Sequence, residues 1–85
     1  MRVQELEDKV WTQDGIRIVV RAASAAEVRQ YAHKKAAEVN WRVTEFLEKR
    51  INPLLDGKEV IVLEGNGEQP NGNSRLGSIR QSYRR

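Results

Sequence analysis

The chain has 85 residues, a net charge of +3 and no cysteine. A length this short holds one domain with a thin core, burying roughly 60–65% of its unfolded surface. The absence of cysteine excludes a disulfide framework and a thiolate zinc site.

The charge is unevenly spread. Residues 1–68 carry eleven Lys/Arg and all twelve Asp/Glu, a net charge of −1, while Arg75, Arg80, Arg84 and Arg85 add four positive charges without an acid. A near-neutral body with a basic end is an interaction pattern. The longest apolar run, Val60 to Leu63, is far too short to span a bilayer. The opening Met1-Arg2-Val3-Gln4-Glu5 has no hydrophobic segment, so no secretory signal is expected. The expectation is a soluble protein of the cytoplasm, or of a phage or other macromolecular particle.

From the N-terminus, "LEDKVWT" (6–12) and "IRIVVRA" (16–22) flank "QDG" (13–15). Two runs around a three-residue loop ending in Gly predict a β-hairpin. In that register Leu6, Val10, Ile16, Ile18 and Val20 share one face, and Glu5, Glu7, Lys9, Trp11, Arg17, Val19 and Arg21 the other. Next, Ser24 and Glu27 have the spacing of a capping box. Val28, Ala32, Ala36, Val39, Val43, Phe46 and Leu47 recur at helical intervals up to Pro53. "KEVIVLE" (58–64) predicts a third strand after the Asp56-Gly57 turn. "GNGEQPNGNS" (65–74) reads as a polar joint. Beyond Ser78 a weak alternation admits a fourth strand. No internal repeat stands out.

The predicted fold is therefore α+β: a β-β-α-β domain over 1–65, a Gly/Asn linker over 66–74 and a basic arm over 75–85. A helix of about 26 residues is roughly 39 Å long, whereas a seven-residue strand spans about 23 Å. So small a sheet cannot cover the whole stripe, so the C-terminal segment, a second copy of the chain or a different protein is expected to cover the rest. Trp41 lies about 200° round that helix from Val39, with Lys34, Ala37 and Glu45 as neighbours. Trp is enriched at interface hot spots, so Trp41, Ala37, Lys34, Glu45 and the sheet residue Trp11 form the expected partner interface.

Catalytic chemistry has no foothold. His33 is the one histidine, Gly65, Gly67, Gly72 and Gly77 match no phosphate-loop spacing, and Ser74 has no base beside it. No catalytic residue, metal ligand or cofactor is expected. The sequence favours a non-enzymatic assembly module that self-associates or docks on a larger protein through its helix and its basic arm of Arg75, Arg80, Tyr83, Arg84 and Arg85. The alternative is a nucleic-acid accessory protein, in which that arm neutralises phosphates and Lys9, Trp11, Arg17 and Arg21 extend the track.

Overall fold

The computed structural model describes residues 1–83. Its elements are α1 (Val3–Asp14), β1 (Arg17–Val20), α2 (Val43–Phe46), β2 (Val60–Leu63) and α3 (Leu76–Ser82). Helix α2 runs on through a π-turn, Leu47–Ile51, and a 3₁₀ turn, Asn52–Leu54. The two strands pair antiparallel as one two-stranded sheet. The α+β class stands; the β-β-α-β order does not.

Each departure has a physical cause. Residues 3–14 form a helix, not a strand, because Val3, Leu6 and Val10 are buried at spacings of three and four. Asp14-Gly15 ends that helix instead of turning a hairpin. Gly15 takes the left-handed conformation (φ 68°) and its N–H returns to the Trp11 carbonyl. Residues 21–41 form no long helix, so the surplus of apolar helical surface does not exist. Their polar backbone groups are spent elsewhere: the carbonyls of Ser24 and Ala26 accept the N–H groups of Gln4 and Val3 at the start of α1. Of the expected stripe, Val28, Val43 and Phe46 are buried, while Ala32, Ala36 and Val39 are exposed. The last segment is a helix instead of a fourth strand. Leu76 and Ile79 are both fully buried, and Tyr83 is half-buried one turn further on. Arg84 and Arg85 lie outside the described residues.

The chain also repeats itself. Arg2-Val3-Gln4-Glu5 and Arg42-Val43-Thr44-Glu45 each open a helix, and in both the Arg N–H donates to the Glu carboxylate (3.1 and 3.3 Å). In both, three backbone bonds tie the helix start to a segment returning after the strand. Val3 and Val43 donate to Ala26 and Ser74; Gln4 and Thr44 donate to Ser24 and Gly72; Val28 and Leu76 donate to Met1 and Trp41. These bonds satisfy N–H groups that a helix start leaves without intrahelical partners. Val10 corresponds to Ile51, Asp14 to Leu55 and Gly15 to Gly57; the first two pairs are buried, and both glycines have positive φ. Gly57 then leads into β2 as Gly15 leads into β1. The sheet register respects this symmetry. Val19 pairs with its own counterpart Ile61, and the pairs Ile18–Val62 and Val20–Val60 exchange about that point. The molecule is thus two helix–strand units related by an approximate twofold axis through the Val19–Ile61 pair.

The core lies where the units meet. Ile18, Val20 and Val62 face inward, with Leu6, Val10, Tyr31, Phe46, Ile51, Leu55, Leu76 and Ile79 around them. Full burial of such an aliphatic or Phe side chain stabilises by roughly 1.5–3 kcal/mol.

Candidate interaction surface

Residues directly opposite in an antiparallel pair share a face, so Arg17, Val19, Ile61 and Leu63 lie together on the outer side of the sheet. Val19 is 37% exposed, and Ile61 and Leu63 are half-buried. At one end α1 contributes Trp11, 43% exposed. The Tyr83 ring meets Trp11 edge-on at 5.1 Å, and the Arg17 guanidinium lies 5.1 Å from the centre of the indole.

Tyr83 is fixed by its hydroxyl. It accepts the N–H of Arg17 (2.9 Å) and donates to the Leu63 carbonyl, bridging the two strands at their open end. Burial pushes this phenol above its ordinary pKa. Two hollows flank the aromatic pair. One, of about 420 Å³, is lined by Glu7, Asp8, Trp11, Arg17, Ile18 and Val19. The other, of about 320 Å³, runs beside Leu63, Glu64 and Tyr83. Carboxylates therefore rim the aromatic groove on both sides. Glu7 also accepts the Val20 N–H at 3.0 Å.

Beneath the surface lies a polar cluster. The Asp14 carboxylate, 1% exposed, accepts from the Tyr31 hydroxyl, the Ala37 N–H (2.7 Å) and Arg50 Nη1 (3.0 Å). Arg50 Nη1 also donates to the Lys35 carbonyl at 2.8 Å. Burial, then the bond to Asp14, holds the Tyr31 phenol well above the ordinary tyrosine range. These bonds give the irregular 29–41 segment its course, so the cluster serves the fold. Among the described residues no group of His, Cys, Asp and Glu could hold a metal ion, and no helix is long and apolar enough to cross a membrane.

The expected interface residues disperse. Ala37 is buried, and Lys34 is exposed on the connecting segment. Trp41 is half-buried against the core with the Lys49 ammonium and Arg50 guanidinium 4.9 and 5.2 Å from its ring centre. Glu45 accepts the Arg42 N–H and pairs with Lys49 at 3.7 Å. Trp11 alone of that set stands on an open face. Lys9 and Trp11 come from α1, Arg17 from β1 and Arg21 from just beyond its end, 3.6 Å from Glu59. Of the basic arm, Arg75 donates to the Asn40 carbonyl and Arg80 to those of Asp14 and Ala37, all at 2.6 Å. Sequence reasoning placed Val19 on the outer face, where it lies, but missed Ile61 and Leu63 beside it. The signal was their alternation with Val62, which becomes legible once β1 pairs with β2.

Compared with protein-family models, curated proteins and solved structures, the chain has no match.

Proposed function

We propose that the chain is a non-enzymatic protein-interaction module, docking through the outer face of its sheet either on a second copy or on a larger protein. The observation that carries this reading is the continuous exposed stretch of Trp11 and Val19 along one hollow, with Tyr83 and Leu63 beside it. Large aromatic side chains with exposed area are the usual anchors of protein interfaces. The internal symmetry supports it further. The place of Trp11 in the second unit is taken by Asn52, so the helix–strand unit does not itself require an aromatic there.

A nucleic-acid reading fares less well on the same face. Glu7, Asp8 and Glu64 would repel phosphates, and Arg21 is already beside Glu59. Light scattering over a dilution series, with pull-down from the source cell extract, tests the proposal. Trp11→Ala and Val19→Ser should each weaken the association. Association unchanged in both variants would remove this face from consideration. Steeply salt-dependent oligonucleotide binding, with a log–log slope of roughly −3 to −4, would put the nucleic-acid reading in its place.

A further inference from the structure

Where the connecting segment meets α3 there is a third hollow, of about 570 Å³, which shares no residue with the two beside the aromatic pair. Its lining is Val39, Asn40, Arg75, Gly77, Ser78, Arg80 and Gln81. Val39 is 63% exposed, the most open of the large apolar side chains among the described residues. It is held there by its carbonyl, which accepts the Gly77 N–H at 2.9 Å. Gly77 packs beside Val39: a Cβ at that position would lie 3.5 Å from the Val39 Cβ, in ordinary contact.

The walls are cationic. Among the described residues two guanidiniums line the hollow and no carboxylate does. Neither Arg75 nor Arg80 forms an ion pair among the described residues. Both are anchored on backbone carbonyls instead: Arg75 through one N–H to Asn40, Arg80 through two to Asp14 and Ala37. A guanidinium has five N–H donors, so each keeps several for a ligand. Because the side chains are already held, a ligand loses less of its binding energy to ordering them.

We propose that this hollow binds an acidic segment of a partner protein, one that sets an aliphatic side chain between carboxylates. Val39 receives the aliphatic group, and Arg75 and Arg80 receive the carboxylates through their N–H forks. Ser78 and Gln81 offer further polar contacts at the rim. The apolar floor distinguishes this occupant from a nucleic-acid backbone, whose phosphates would use the arginines and leave Val39 bare.

The test is fluorescence anisotropy of the full chain with a fluorescein-labelled eight-residue peptide of Glu and Leu. Binding should weaken with added salt. Val39→Ser and Arg75→Gln should each reduce affinity by about tenfold, with unchanged circular dichroism. Arg29→Gln removes the same charge elsewhere, opposite Asp56, and should change affinity by less than about twofold. Three results would overturn the proposal. One is no binding of the peptide at low salt. Another is a loss with Arg29→Gln equal to that with Arg75→Gln, which would make net charge the cause. The last is full displacement by inorganic phosphate or an oligonucleotide together with indifference to Val39→Ser, which would make the hollow a general anion site.

Discussion

Asp14 and Arg50 lie 3.0 Å apart at the join between the two units, Asp14 sealed from solvent and Arg50 nearly so. Leu55 holds the place of Asp14 in the second unit, and Ile79 that of Tyr31. The architecture therefore accepts apolar side chains where the first unit has an ionic cluster. Removing one partner of a buried pair strands the other charge and costs about 3–5 kcal/mol, whereas replacing both by apolar groups is often close to neutral. Arg50→Met should fall in that destabilising range, and Asp14→Leu added to it should recover most of the loss. Urea unfolding of the two variants measures both steps. A double variant no more stable than the single one would show that the Ala37 N–H, which also bonds Asp14, is what the carboxylate serves.

Two tyrosines make stability depend on alkaline pH. Tyr31 and Tyr83 both have phenols raised by burial, Tyr31 further by its bond to Asp14. An unfolded tyrosine ionises near about pH 10. Below that pH both states hold the proton and the stabilisation is complete. Above it the unfolded chain releases the proton while the folded one keeps it, so stability falls as pH rises. Denaturant midpoints should be flat up to about pH 9 and then decline. Tyr31→Phe should lower the plateau and flatten the decline. A decline as steep in Tyr31→Phe as in the parent would assign the effect to other groups.

The class of fold was legible, and so were three of its element positions: β1 within 16–22, β2 within 58–64, and the helical stretch from Val43 to Ile51. What failed was local propensity under tertiary constraint. Residues 24–41 have helix-forming composition, but Ser24 and Ala26 turn their carbonyls to α1, and Tyr31 and Ala37 are drawn to Asp14. The repeat was hidden by its changing offset. From Arg2 to Arg42 is 40 positions, from Val10 to Ile51 is 41, from Gly15 to Gly57 is 42, and from Val28 to Leu76 is 48. The π-turn at Leu47–Ile51 lies where the first extra residue enters. A search at fixed period sees only fragments. Of the candidate surface, Trp11 and Arg17 were visible as an aromatic beside a base. Their contact with Tyr83 was not, because it joins residues more than sixty positions apart.

The matched glycines offer a test of the repeat. Gly15 and Gly57 have φ of 68° and 86° and each precedes a strand. An L side chain in that conformation costs roughly 1–2 kcal/mol. A Cβ at Gly57 would meet open space, and one at Gly15 only the flexible side chain of Arg80 at 3.7 Å. Both penalties are then conformational, so Gly15→Ala and Gly57→Ala should lower thermal stability by similar amounts. Asn, which tolerates the left-handed region, should restore part of each. A large loss at one position and none at the other would deny the two turns an equivalent role.

Gly65 governs how α3 is seated, and with it both candidate surfaces. Its N–H donates to Ser82 Oγ at 2.9 Å, and a Cβ there would lie 1.7 Å from the Ser82 carbonyl oxygen. That neighbour is backbone, so it cannot swing aside; the end of α3 must move off β2. Tyr83 follows Ser82 directly, and its hydroxyl bridge between Arg17 and Leu63 would open. Gly65→Ala should therefore cost about 1–3 kcal/mol, as overpacking does, and should strip Tyr83 from Trp11. Trp11 emission, read in a Trp41→Phe background, should shift to the red and become more accessible to acrylamide. Arg80, two residues before Ser82, is held by Asp14 and Ala37, so the hollow beside Val39 should lose peptide affinity only in part. An unchanged denaturation midpoint together with unchanged Trp11 emission would mean that α3 has room to spare at Gly65, and that the tyrosine bridge does not depend on this close approach.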